Sequence, residues 1–369
     1  MLLFLEASII RMLPISLISA LVRRACRLDE ENKEIAVVTD SRFYTMVATK
    51  SLLGLSESYK KGWIQVKKLD VFFENIFLTR NATPKFITMY KDFLAYLELD
   101  LFEMKSEDPN YYNSDLEDLE LTCGTDLGII CSNGVWLSPS DDLDTAQRNK
   151  FEMIAKMLQL SPGMRLIEIG AGCGALAKYL ADNYHVHVVG TTLSKAELDY
   201  ARKFCVGSTV DMQLSNCTDL MENEDEKFDG VIVNSVLECI GKSDYERFFA
   251  NIANLLKNNG TFVIQVAGRY DSRLGNVNGI YPLVRFANLS EIITATEKYF
   301  VMESLTDVGR HYEKTFLAWG EKDRKYRDTF VEKYGQEYCP WSEFFTQMTA
   351  TMAKLRILQE WQIVFSKKC

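Results

Sequence analysis

The sequence predicts an α/β protein with a mostly parallel sheet and flanking helices, joined to a smaller, mainly helical N-terminal domain. Three observations carry this expectation. From Asp142 onward, short apolar runs of strand character alternate with amphipathic helical segments, the order that a doubly wound parallel sheet requires. One of these junctions, EIGAGCG (Glu168–Gly174), is a glycine turn that follows an apolar strand and opens a helix. Upstream of Asp142 the regular alternation is missing. The expected segmentation is an accessory domain over residues 1–105, a linker and pocket-covering segment over 106–141, and the main domain over 142–369.

Taken in order, residues 30–105 mix a short strand (Ile35–Val38) with helical periodicity at Leu69–Phe77 and Phe86–Leu101. Ser106–Glu120 is acidic and polar and contains a proline, the composition of a linker. LDTAQRNKFEMIAKMLQL is an amphipathic helix ended by Ser161-Pro162-Gly163, which cannot continue it. Then come strand Arg165–Ile169, helix Ala175–Asn183, strand Val186–Thr191, helix Lys195–Phe204 and strand Asp211–Leu214. Strand Gly230–Asn234, helix Tyr245–Leu256 and strand Gly260–Val266 follow. The C-terminal part reads as two strands, Phe300–Asp307 and Thr315–Gly320, with helices at Arg324–Tyr334 and Trp341–Glu360.

The 369 residues are 47% hydrophobic and 25% charged, which supplies core enough for two domains. A net charge of -9 argues against a nucleic-acid partner held by a basic surface. Nine cysteines without CxxC pairs and only three histidines argue against a metal site and for reduced thiols in the cytoplasm. The apolar N-terminus is broken by Glu6, Arg11 and Pro14, too often for a spanning helix, and it lacks signal-peptide features. Two readings stand for it: a core-packing helix, or an amphipathic helix peripheral to a membrane with Arg23, Arg24 and Arg27 at the headgroups.

The glycine turn carries the chemistry. Glycines let the backbone pass close to a ligand, and the helix N-terminus presents free N–H groups. The spacing is G-x-G-x-G, and Glu168 precedes it at the strand end. A pyrophosphate is disfavoured beside that carboxylate; a nucleoside carrying a sulfonium or ammonium is not, which points to S-adenosylmethionine. Tight strand–helix packing is the competing account of the glycines. Glu197, in the helix after the second strand, is either a ribose ligand or a solvated helix residue. Asn216 is either an adenine ligand or a turn asparagine. Glu238, in NSVLECIG after the fourth strand, is either a catalytic carboxylate or a cap for the next helix, at the strand end where the switch-point rule places ligands.

With these residues in view, the sequence resembles the cyclopropane-fatty-acyl-phospholipid synthase family, which includes the mycolic-acid cyclopropane synthases. The likeness runs from about Leu53 to the C-terminus. It rests on GLSESYKKGWIQVKKLDVFFENIF (Gly54–Phe77), the helix-and-loop run from LDTAQ to GAGCG, VVGTTLS, FDGVIVNSVLECIG, YFVMESLTDVGRHYEKTFLAW and LRILQEWQIVFSK. The resemblance implies a Rossmann-like S-adenosylmethionine-dependent methyltransferase fold. It also implies transfer of a methyl group to a double bond of a lipid acyl chain through a carbocation, with a bound bicarbonate as base. The cofactor positions map onto Glu168, Gly170, Gly172, Gly174, Thr192, Leu193, Glu197 and Asn216. The catalytic positions map onto Glu238, Tyr312 and Gln265.

Departures cluster at the bicarbonate positions. The family's cysteine aligns with Gly134, its histidine with Gln265, its isoleucine with Ala267, and the histidine after the glutamate with Cys239. The segment before them survives only as Cys123–Trp136. Three functional readings follow: a lipid carbon methyltransferase, a methyltransferase of another olefinic small molecule such as an isoprenoid, or a cofactor-binding member with reduced catalysis. A homodimer is implied by resemblance alone.

Overall fold

The computed structural model describes residues 14–28, 32–79, 115–216, 227–269 and 284–368. The expected helix at Phe86–Leu101 lies outside them, as do residues 106–114 of the acidic stretch. The chain forms two compact units. Among the described residues, one comprises 14–79 and Trp319–Ile357, and the other comprises 115–269, 284–318 and 358–368.

The N-terminal elements of the first unit are α1 (Ile15–Ala25), β1 (Ala36–Val38), α2 (Arg42–Lys60), β2 (Ile64–Val66) and α3 (Leu69–Thr79). Strands β1 and β2 form an antiparallel pair with Ala36 opposite Val66. α1 buries Ile18 and Val22, packs on α2, and leaves Ile15, Leu17 and Leu21 exposed. α3 buries Phe72, Phe73 and Phe77.

The second unit opens with α4 (Leu116–Cys123), whose first N–H groups are capped by the Asp115 carboxylate. Part of the expected linker is therefore helix. A short hairpin, β3 (Gly124–Thr125) and β4 (Gly128–Ile129), leads to α5 (Leu143–Met157), capped in turn by Asp142 on the Thr145 N–H at 2.8 Å. The main sheet then alternates with helices as expected. It runs β5 (Arg165–Ile169), α6 (Ala175–Tyr184), β6 (His187–Thr192), α7 (Lys195–Phe204), β7 (Val210–Leu214), β8 (Phe228–Asn234), α8 (Tyr245–Leu255) and β9 (Leu256–Arg269). After β10 (Ala287–Asn288) and α9 (Leu289–Thr296) come β11 (Phe300–Asp307), α10 (His311–Lys325), α11 (Arg327–Tyr334), α12 (Tyr338–Lys354) and β12 (Gln359–Lys367).

The strand order is β11-β12-β9-β8-β5-β6-β7, with β10 added to β9. β7, β6, β5, β8 and β9 are parallel, and β12 and β11 are antiparallel additions. The chain proceeds from β5 outward to β7, then returns to the other side of β5 with β8. The switch point thus falls between β5 and β8, where a crevice opens at the carboxyl ends of the strands.

Two expectations are corrected at the C-terminus. Thr315–Gly320 is not a strand but lies within α10. Tyr312, Thr315, Phe316 and Trp319 are buried, and their spacing of three and four is that of a helix face. The partner of β11 is instead β12, which begins where a helix was expected to end. α12 stops at Lys354, and Arg356 takes a positive φ of 57° that turns the chain into the strand. The expected segmentation also differs from the compact units, because α12 packs on α2 and α3.

Candidate active site

The apolar register of β5 buries Leu166, Ile167 and Ile169, and it carries Glu168 into the interior with almost no exposure. Beyond it the backbone takes positive φ at Gly170 (74°) and Gly172 (53°). At Gly170 a Cβ would also lie 2.3 Å from Val236 Cγ2, so this position tolerates no side chain on either count. The turn opens onto the switch-point crevice, which forms a cavity of about 240 Å³.

Seven of the eight residues expected around the cofactor line that cavity: Glu168, Gly170, Gly172, Thr192, Leu193, Glu197 and Asn216. Gly174 does not. It caps α6 in the left-handed conformation, and a Cβ there would meet Cys205 Sγ at 3.0 Å, so its role is packing and turning. Glu197 is no solvated helix residue. Thr192 Oγ1 donates to its Oε2 at 2.5 Å, and burial raises its carboxyl above the usual range. The opposite wall comes from β8 and the turn after it, including Asn234, Ser235, Val236 and Cys239. Ser235 holds a positive φ of 57°, with its N–H on the Gln265 carbonyl at 2.9 Å, a strained position of the kind that gathers at functional sites.

Glu168 is a buried carboxylate without full compensation. Burial pushes it up to about 7, against the Lys150 charge and the Ala177 N–H in the first turn of α6. Its Oε2 has no hydrogen-bond partner among the described residues. A cationic ligand in the cavity supplies what that oxygen lacks. The donor set, glycine backbone, two carboxylates and Asn216, fits S-adenosylmethionine.

Of the expected catalytic residues, Glu238 sits in a 3₁₀ turn (Leu237–Cys239) after β8 and is buried. It does not cap the following helix. Oε1 accepts the Ala267 N–H of β9 at 2.5 Å, and Oε2 has no partner among the described residues. Burial pushes its carboxyl up to about 7. Gln265 lies on β9, donates to Glu360 Oε1 at 3.1 Å and accepts from Gln362 Nε2 at 2.7 Å. Tyr312 lies in the first turn of α10, edge-on to Phe316.

Sequence reading missed a buried polar network behind the cavity. Lys150, on the core face of α5, is fully buried and donates to Ser132 Oγ at 2.7 Å. Burial lowers it to about 7 despite the Glu360 and Glu168 charges. Ser132 lines the cavity and also accepts from Asn234 Nδ2 at 3.2 Å. Glu360 on β12 is fully buried, with Asn133 Nδ2 on its Oε2 at 2.5 Å. The side chains that enter this network from the Cys123–Trp136 segment are Ser132 and Asn133, the two residues before Gly134. The available signals were a lysine at a core position of a helix and Glu360-x-Gln362 around Trp361 at the head of an apolar run, Trp361 to Phe365.

Comparison with known proteins agrees with this architecture. Residues 125–363 match the family model described as mycolic acid cyclopropane synthetase. The chain is 30% identical over 339 residues to the cyclopropane-fatty-acyl-phospholipid synthase of Escherichia coli K12, covering 89% of this chain and 87% of that protein. It is 25% identical over 251 residues to a sphingolipid C9-methyltransferase of Komagataella phaffii, covering 63% of this chain and 51% of that protein. Among solved structures, the mycolic acid cyclopropane synthase CmaA1, complexed with SAH and CTAB, matches with a TM-score of 0.62 at 19% identity, covering 70% of this chain and 95% of that one. Coclaurine N-methyltransferase matches with a TM-score of 0.69 at 15% identity, covering 86% of this chain and 100% of that one.

Proposed function

The chain belongs to the mycolic acid cyclopropane synthetase family and is an S-adenosylmethionine-dependent methyltransferase, and from that premise we propose that it methylates a carbon–carbon double bond in an unsaturated lipid acyl chain. The observation that carries the reading is the switch-point cavity with Glu168 in its wall, its Oε2 without a hydrogen-bond partner among the described residues, and with the buried Glu238, whose Oε2 likewise has none, in the turn after β8. When bound, the cofactor supplies an electrophilic methyl group. Glu168, Gly170, Gly172, Thr192, Leu193, Glu197 and Asn216 hold and orient it. Glu168 offers a negative wall to its positive charge, and Glu197, anchored by Thr192, offers a carboxylate to a ribose hydroxyl.

Methylation of an alkene leaves a cation that must lose a proton where water is excluded. Glu238 Oε2 is the acceptor: it is buried, has no hydrogen-bond partner among the described residues, and is held in place through Oε1 by a backbone N–H. Gln265 ties Glu360 and Gln362 into the amide network beside Glu238, and Tyr312 is the aromatic residue proposed to stabilise the cation. The exposed Leu17 and Leu21 of α1, with Arg24 beside them on the same face, form the side that meets a lipid surface. Among the described residues no helix is long and apolar enough to cross a membrane.

The test is incubation with methyl-labelled S-adenosylmethionine and unsaturated phospholipid vesicles. Label is expected in the extracted lipid. Tight cofactor binding with no label in any lipid, but label in an isoprenoid or another olefin, would move the substrate to that class.

A further inference from the structure

The resemblance implies an exchangeable bicarbonate beside Glu238, and the residues present do not fit one. Such an anion needs amide or hydroxyl donors, and the Asn133 and Gln265 amides already serve a carboxylate of the chain. Glu360 Oε2 accepts from Asn133 Nδ2 at 2.5 Å, and Glu360 Oε1 accepts from Gln265 Nε2 at 3.1 Å. Each oxygen of one planar carboxylate thus has one amide donor, the pattern that a planar carbonate-type anion would otherwise draw on.

The surroundings fix these donors. Asn133 Nδ2 gives its other hydrogen to the Val308 carbonyl at 3.0 Å, and Asn133 Oδ1 accepts from Thr315 Oγ1 at 2.9 Å. Thr315 Oγ1 already accepts from the Gly134 N–H and Trp136 Nε1–H, so its own hydrogen is free to point at an acceptor. The Asn133 amide therefore faces Glu360 nitrogen first. Gln265 is held the same way, its oxygen taken by Gln362 Nε2 at 2.7 Å. Glu360 in turn is placed by the strand register: it lies opposite Ala267, the residue whose N–H holds Glu238. The charges that act on it are Glu238 from the 3₁₀ turn and Lys150 from α5, and Glu168 of β5 acts on the same lysine. A further anion here would add to Glu360 and Glu168, which already share one buried lysine, and to Glu238 beside Glu360.

We propose that Glu360 is the resident carboxyl group of this site, tethered on β12 between Asn133 and Gln265 where an exchangeable bicarbonate would bind, and that methyl transfer runs without dissolved bicarbonate. Glu360 is a positioning residue. It orients the two amides beside Glu238, which takes the proton. This inference rests on the alkene-methylation reading but has an arm that does not need turnover.

The experiment compares the full-length protein with Glu360→Gln and Glu360→Ala. Wild-type turnover is measured in degassed, carbonate-free buffer and again with millimolar bicarbonate. Binding of ¹³C-bicarbonate is followed by NMR. Wild type is expected to turn over equally in both buffers and to bind no bicarbonate. Glu360→Gln is expected to lose about 100-fold in kcat with unchanged affinity for S-adenosylhomocysteine. Glu360→Ala opens the donors, so it binds bicarbonate and regains activity with bicarbonate or formate. A wild-type rate that collapses without bicarbonate and returns on its addition would overturn the proposal, as would ¹³C-bicarbonate binding to wild type. If Glu360→Ala does not fold, the wild-type measurements and Glu360→Gln decide. If wild type labels no lipid, the substrate reading fails while the NMR arm still decides the inference.

Discussion

At the scale of the residue, two carboxylates carry separable roles. Glu238→Gln keeps shape and burial but removes the acceptor, so turnover is expected to fall by about 100- to 10,000-fold. Cofactor affinity, measured by calorimetry with S-adenosylhomocysteine, should change little. Full activity in this variant would show that Glu238 is structural. The same residue sets a pH dependence. Burial pushes its carboxyl up to about 7, and only the ionised form accepts a proton, so kcat/KM should climb as pH rises through about 7. That limb should vanish from the residual activity of Glu238→Gln. Glu197→Ala acts on the other side of the reaction. It removes the carboxylate anchored by Thr192 and should weaken cofactor binding by about tenfold while leaving kcat at saturation nearly intact. An unchanged dissociation constant would remove Glu197 from the cofactor site. Most of these positions were legible because the glycine turn and its flanking acids are local in sequence. Glu360, Asn133 and Lys150 were not. They come from a strand, a loop and a helix far apart in the chain, and only folding brings them into one network.

At the scale of the element, the central strands and helices from α5 to β9 follow from alternation, caps and breakers, and the structure keeps them with small shifts at their ends. The missed strand has a physical cause. β12 is buried from Gln359 to Phe365 on both faces, so it shows no polar–apolar alternation and reads as a continuation of α12. Its placement is fixed instead by packing: Trp361 is fully buried over Gly268 of β9, where a Cβ would lie 2.3 Å from Trp361 Cζ3 and 2.6 Å from the Ala287 carbonyl. Gly268→Ala is therefore expected to lower stability by about 1–3 kcal/mol, read as a reduced midpoint in denaturant. An unchanged midpoint would mean that β9 and β12 separate freely. α1 makes a different claim. Its Ile18–Val22 face is buried and its Leu17–Leu21 face is open, so Leu17→Glu with Leu21→Glu should leave the fold intact and abolish cosedimentation with anionic vesicles. Equal cosedimentation of this variant would remove α1 from the lipid surface.

At the scale of the whole molecule, the buried network couples folding to protons. Burial raises Glu168 and Glu238 from 4.5 to about 7 and Glu360 to about 8, so between pH 4.5 and those values the folded chain holds protons that the unfolded chain has released. Where the folded state binds more protons, stability falls as pH rises. The contribution of these three groups is complete below pH 4.5 and is lost as pH climbs toward 7 and 8. Lys150 works in the opposite sense, since its lowered value of about 7 makes the folded chain the poorer proton binder between 7 and 10.5. Half-buried carboxylates held low by partners, such as Glu152, which accepts from the Tyr179 hydroxyl, also add stability as pH rises, so the total curve mixes signs. A difference between variants isolates the network. Glu238→Gln cannot ionise, so relative to wild type its thermal midpoint should be nearly equal at pH 5 and higher at pH 8. Saturation with S-adenosylhomocysteine, which lacks the sulfonium charge, should preserve that difference, because it does not neutralise the buried carboxylates. Parallel midpoints for the two proteins across this range would mean that Glu238 ionises in the folded state as readily as in the unfolded one, and would remove the physical basis for its role as a proton acceptor near neutral pH.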